Sequence, residues 1–224
     1  MSNPQHLLHL QRGVRHWNAW RHHYPAIHPD LPGVDLTRQN LRGMNLTQAN
    51  LEGANFFGAD LCHCSLRGAN LAQANLFGVN LFGANLYRGN LTRAKLVGAN
   101  LFGVDLRRAL LHRADLDSCN LFGAYLSGST LSEVNGYRAQ LGLTECVATD
   151  FGTANLAGAD LTGANLWGAD LRGADLTETI VIGTCFRLAK LDRARFLQVD
   201  LRRSKLEGAN FRVANLQGAY LPAA

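Results

Sequence analysis

Residues 75–101 read NLFGVNLFGANLYRGNLTRAKLVGANL, with a leucine at every fifth position. No single regular element has that period, since a helix repeats about every 3.6 residues and a strand about every two. Followed in both directions, the fifth-residue centre runs without a break from Leu31 to Leu221, giving 39 positions. Of these, 31 are Leu and five are Phe (Phe56, Phe151, Phe186, Phe196, Phe211); only Gly136, Cys146 and Val181 depart. The residue two before each centre is mostly Ala. Neither column contains a single Asp, Glu, Lys, Arg or His.

Two positions in five therefore face a dry interior and three face water. A backbone that keeps this pattern must turn once per repeat around a closed circuit. Glycine two after the centre (Gly78, Gly83, Gly98, Gly103, Gly123) suits such turns because it accepts positive φ. The tetrapeptide Asn-Leu-Phe-Gly recurs at 80–83, 100–103 and 120–123, a spacing of 20 that argues for four repeats per coil. Asn and Asp before the centres fit turn hydrogen bonds and stacked amide ladders.

The pattern A-(D/N)-L-x-x, as in Ala159-Asp160-Leu161-Thr162-Gly163 and Ala164-Asn165-Leu166-Trp167-Gly168, resembles the pentapeptide repeat proteins. The resemblance implies an all-β solenoid, a right-handed quadrilateral β-helix with four repeats per coil and nearly ten coils. At a strand spacing of about 4.8 Å this is a rod of roughly 45 Å. Domains are expected at 1–30, a helical cap and leader, and at 31–224, the β-helix. Some members of the family bind topoisomerases and mimic a DNA duplex.

Asn3-Pro4 reads as an N-cap and first helical residue, and Leu7, Leu10, Val14 and Trp17 share one face of the helix that follows. A short amphipathic helix over the first coil is expected. Residues Ser132–Asp150 are the least regular; their charged residues still keep the outward positions, so a degenerate coil, either bulged at Gly136 or in plain register, is expected in place of a free loop. Beyond Leu216 the chain runs Gln217 to Ala224 with Pro222, too short for a second capping helix. An open last coil with Phe211, Leu216, Tyr220 and Leu221 points to an end-to-end homodimer.

Chemistry-bearing residues are sparse. In register Cys62 and His63 face water and Cys64 faces the core, so they cannot share a metal. His9, His16 and His23 lie seven residues apart, roughly 10 Å along one helix, too far for one ion; His6 with His9 makes only a weak pair. No catalytic constellation, phosphate loop or cofactor motif is present, and no enzyme or cofactor is expected. Five cysteines without paired spacing indicate free thiols and a cytoplasmic protein, and no stretch is long and apolar enough to cross a membrane.

What remains is surface. Phe82, Phe102 and Phe122 stack on one face, with Phe57 and Phe77 on its neighbour, either as self-stacking or as a partner-binding patch. Arg88 with Arg108, and Arg93 with Arg113, form a candidate basic patch around one corner. The C-terminal segment adds Arg187, Lys190, Arg193, Arg195, Arg202, Arg203, Lys205 and Arg212. The expected function is a non-enzymatic interaction scaffold with an unidentified protein partner. A gyrase-binding DNA mimic is the alternative, disfavoured by a net charge of +5. Direct nucleic-acid binding is disfavoured too.

Overall fold

The computed structural model describes residues 2–222. From Asp30 to Tyr220, residues preceding the centres bridge in parallel to residues twenty ahead, as in Asp30–Asn50, Asn50–Asn70 and Asp200–Tyr220. Four pentapeptides thus make one turn of a square solenoid. Its repeating unit is a turn more than a strand. The residue three beyond the centre donates to the centre's carbonyl at every centre from Leu31 to Leu216 except Phe196, as Ala49 does to Leu46 at 3.0 Å. The residue two beyond has φ between 52° and 72° at every position from Gly33 to Gly218 except Arg203. The residue before it does not, which makes the corner a type II turn.

Coils are joined by the backbone. The Leu81 N–H donates to Asn100 O at 2.8 Å, Gly83 N–H to Phe102 O at 3.0 Å, and Asn100 N–H to Val79 O at 2.9 Å. Asn and Asp side chains add a second layer. Asn80 Oδ1 accepts from the Phe82 N–H at 3.3 Å and from the Asn100 side-chain amide at 3.0 Å. Both expected uses of these residues, turn closure and amide ladder, are present.

The two apolar columns fill the interior, and Leu81, Leu101, Phe151 and Phe196 are fully buried. Five polar residues also point inward, Ser129, Thr144, Thr149, Thr179 and Thr184. Each hydroxyl is matched to a backbone carbonyl, for example Thr184 Oγ1 to Leu161 O at 2.7 Å, so burying it leaves no unmet donor. Gln39 departs from the inward column and is exposed beside the first coil.

Residues Ser132–Asp150 are coiled, and no bulge forms at Gly136. Gly136 N–H donates to Asn155 O at 2.7 Å, and Asn135 bridges Asn155 in ordinary register. Leu156 fills the space of the missing side chain, its Cδ2 lying 2.9 Å from where a Cβ would stand. The real irregularity lies further on. Gly183 N–H donates to Arg203 O at 3.1 Å, one residue later than the equivalent bond from Gly163 to Ile182. No bridge joins Ile180 to Asp200 among the described residues.

The N-terminal segment forms two helices where one was expected, α1 (Pro4–Gln11) and α2 (Val14–His23). The break is Gly13, with φ 84° and ψ 174°, which turns the chain back. Asn3 caps α1 as expected, its Oδ1 accepting from Gln5 N–H at 2.9 Å. Trp17 is fully buried and its indole N–H donates to Asn45 O at 2.7 Å. Arg21, also buried, donates to the carbonyls of Tyr24, Ile27 and Thr47, closing the loop that leads into the first coil.

Leu101→Asp should destabilise by more than about 4 kcal/mol, because it places an unpaired charge in a dry stack. Arg93→Asp should stay within about 0.5 kcal/mol. Similar losses of denaturation midpoint for the two would overturn the inward and outward assignment. Limited proteolysis should nick the N-terminal residues before Arg138, since Ser132–Asp150 is coiled.

Candidate interaction surfaces

No group of three or more metal-ligating side chains clusters among the described residues. Cys62, expected to face water, is buried. It is a small side chain between Arg42 and Phe82 in the stacking register, and its thiol is pushed up first by burial and then by Asp60. Cys64, Cys119 and Cys146 sit in the core, where burial pushes each thiol up to about 12, so none is a ready nucleophile. His9 and His16 are not separated as a single helix would require. The turn at Gly13 brings His9 Nδ1 within 3.0 Å of His16 Nε2.

The aromatic ladder forms as the register requires. Phe82 and Phe102 stack at 5.5 Å between centroids and 14° between planes, Phe102 and Phe122 at 5.8 Å and 15°. Phe57 and Phe77 stack at 5.6 Å on the adjoining face. His63 closes one end edge-on to Phe82. At the other, Phe122 leans over Gly142, its Cδ2 2.9 Å from where a Cβ would be. Stacking does not hide the rings: Phe77 is 46% exposed, and Phe82, Phe102 and Phe122 are 38–39% exposed.

The arginine corner is less uniform than its sequence. Backbone register sets Arg88 beneath Arg107–Arg108, and Arg93 beneath His112–Arg113. Arg113 turns away to pair with Glu133 at 2.7 Å. Arg88 lies over the Tyr87 ring at 5.3 Å. Sequence reasoning missed the cluster around that ring, where Arg67 and Arg107 also approach Tyr87 at 5.4 and 6.0 Å. The twenty-residue period, which sets 67, 87 and 107 in one column, was the signal for it.

The C-terminal cations divide between neutralised and free. Arg187 pairs with Glu207, Arg195 with Asp175 and Arg202 with Asp200. Lys190, Arg193 and Arg212 have no carboxylate partner among the described residues and line an open groove of about 880 Å³ over Gly152 and Gly173. Asp170, in the same groove, is held below the usual carboxylate range by its hydrogen bonds to Arg172. In the last coil Leu206, Phe211 and Leu216 are only half-buried, and Tyr220 and Leu221 are exposed.

A square solenoid with a filled apolar core and its charged and exposed aromatic side chains on the outer walls defines a repeat protein of the solenoid class. A family described as Pentapeptide repeats matches in eight copies over residues 30–68, 54–93, 94–135, 154–193 and 194–224. The chain belongs to the pentapeptide repeat family, whose fold is the right-handed quadrilateral β-helix. Residues 136–153, the stretch around Gly136, fall outside the matches. Among solved structures it is similar to HetL from the cyanobacterium Nostoc, a pentapeptide repeat protein involved in heterocyst differentiation regulation. That match has 31% identity over 92% of this chain and 96% of HetL, with a TM-score of 0.39. QnrB1, a plasmid-mediated fluoroquinolone resistance protein, matches at 18% identity over 87% of this chain and 92% of its own, with a TM-score of 0.46. Rfr23 from the cyanobacterium Cyanothece matches at 20% identity over 91% and 97%, with a TM-score of 0.24. No curated protein matches the chain.

Phe102 has a ring partner on each side and Phe122 only one. Phe102→Ser should therefore cost more stability than Phe122→Ser, by about 1 kcal/mol, the worth of one aromatic pair. Urea denaturation of the two variants measures the difference, and equal midpoints would mean that the stacks contribute nothing.

Proposed function

We propose that the chain is a non-enzymatic interaction scaffold that binds a protein partner over Phe57, Phe77, Phe82, Phe102 and Phe122. The exposure of that ladder supports this reading. Residues 75–86, 96–104 and 118–124 carry no charge, so apolar rings stand on a neutral wall of amides and glycines. Contiguous apolar surface on a soluble rod is a frequent mark of a protein interface, and aromatic residues are enriched where binding energy concentrates. Repeat solenoids of this family often serve as such scaffolds. We place the scaffold in the cytoplasm, where five free thiols are at home.

The test is affinity capture with the folded protein beside the triple variant Phe82→Ser, Phe102→Ser, Phe122→Ser, its fold checked by circular dichroism. A partner bound by the parent and lost from the variant supports the surface. Recovery of the same proteins by both would remove it.

The DNA-mimic alternative requires a dominant acidic face, and the walls carry the opposite sign in Arg67 and Arg88 at the Tyr87 ring and in the Lys190–Arg193–Arg212 groove. We therefore expect no inhibition of gyrase supercoiling at stoichiometric protein; inhibition relieved by competing DNA would reverse this.

The half-exposed Leu206, Phe211, Leu216 and Leu221 favour one further element, a homodimer joined through the last coil. Light scattering behind a sizing column should give twice the mass of 24.4 kDa at tens of micromolar protein. A mass that stays monomeric, or a dimer indifferent to Tyr220→Asp with Leu221→Asp, would rule it out.

A further inference from the structure

The contact between His9 and His16 depends directly on protonation. The two nitrogens are 3.0 Å apart, and the rings lie nearly in one plane, 14° apart with centroids at 5.2 Å. This is an edge-to-edge N–H···N hydrogen bond, which requires one nitrogen to hold a proton and the other a bare lone pair. Adding a second proton turns the bond into two N–H groups facing each other.

A second contact of the same helix has the same requirement. His6 Nδ1 accepts from the Asp30 backbone N–H at 2.9 Å, which only an unprotonated Nδ1 can do. Asp30 opens the first coil and bridges Asn50. Helix α1 is otherwise tied down by few polar contacts: Asn3 N–H to Asp30 O at 2.9 Å and Ser2 Oγ to Pro32 O at 2.8 Å. Helix α2 is fastened without any imidazole, through Trp17, Asn18 and Arg21 to the carbonyls of Asn45, Gly43 and Thr47.

The surroundings offer no relief to added positive charge. On α1 stand His6, His9 and Arg12; on α2 His16, with Arg21 beyond the Trp20 ring on which His9 stacks at 4.6 Å. The facing coil supplies two carboxylates: Asp30, engaged by the Asn50 side-chain amide at 2.9 Å, and Asp35, which lines the cleft beside the cap and accepts from the Thr37 N–H and hydroxyl. No salt bridge reaches these three imidazoles among the described residues.

We propose that the N-terminal cap is an acid-sensitive clasp, in which α1 lies closed while His9 and His16 share one proton and His6 Nδ1 is bare, and lifts from α2 and the first coil when these imidazoles are protonated. His9 is held below its ordinary value, first by burial and then by His16, Arg12 and His6. A histidine depressed in the folded state contributes stability that is complete above its ordinary range near pH 6.5 and is lost as pH falls through it. The window is therefore mildly acidic, below about pH 6.5. A cleft of about 610 Å³ already runs between the cap and the first coil, with Leu7 and Leu10 on one side and Leu36 and Leu41 on the other. Release of α1 opens that cleft to solvent while α2 stays in place.

Hydrogen exchange on the full chain, expressed as protection factors so that the intrinsic pH dependence cancels, reads the clasp directly. From about pH 7.5 to about pH 5, amides of α1 should lose protection at least tenfold while coil amides such as Leu101 keep theirs. The variant His6→Gln, His9→Gln, His16→Gln retains hydrogen-bonding side chains without the titration and should show no such pH step. If the triple change loosens α1 at every pH, imidazole NMR of the unaltered protein decides. The midpoint of α1 release should coincide with the titration of His9. Unchanged α1 protection at pH 5, release only in the carboxylate range near pH 4, or loss shared by the coils would each overturn the proposal.

Discussion

Everything in this molecule hangs on one constraint: the chain must close a type II turn every five residues and still present its N–H and C=O groups to the coils above and below. Leu81, Gly83 and Asn100 show how little freedom this leaves, since each donates to a carbonyl of a neighbouring coil. The Asn ladder meets the same demand with side chains, one oxygen serving the turn and the next coil together. Once that ladder is satisfied, the interior is narrow, and only Leu, Phe and small residues fit. The cost is a left-handed corner at each repeat. Nineteen residues other than glycine accept it, which L-amino acids do reluctantly and the pairing of the coils must offset.

Because the core takes two positions in five, the remaining three are free to carry function without altering the fold. The same column that must tolerate positive φ holds Gly83 beside Phe82 and Arg88 beside Tyr87. One choice leaves a neutral aromatic wall, the other a cluster of guanidinium groups on a ring. A solenoid of this kind separates the problem of folding from that of recognition more cleanly than a globular domain does.

This division also explains what the sequence made legible. The inward columns, the twenty-residue register and the phenylalanine ladder could all be read, because each follows from a period and from sterics local to one or two coils. Three features could not. Cys62 is buried by the size of Arg42 and Phe82 around it, which a position rule ignores. Gly136 causes no bulge because Leu156, twenty residues away, fills its space. The histidine pair depends on Gly13 reversing the chain, and the continuous apolar spacing of Leu7, Leu10, Val14 and Trp17 concealed that break. In the first two cases the repeat names the neighbour one coil away but not how its bulk fills the space; in the third the neighbour arrives through a chain reversal that lies outside the repeat.

The shifted bond from Gly183 to Arg203 has a mechanical meaning. Elsewhere the coils are fastened alike, so loosening spreads along the rod with no preferred stopping place. Between residues 180 and 204 a bridge is lost and one corner abandons the left-handed turn. A column of identical rungs with one weak rung breaks there first. The other sides of the square keep their bridges, Cys185–Lys205, Lys190–Asn210 and Arg195–Asn215, so the weak rung is a flaw in one wall, far along the rod from the aromatic one.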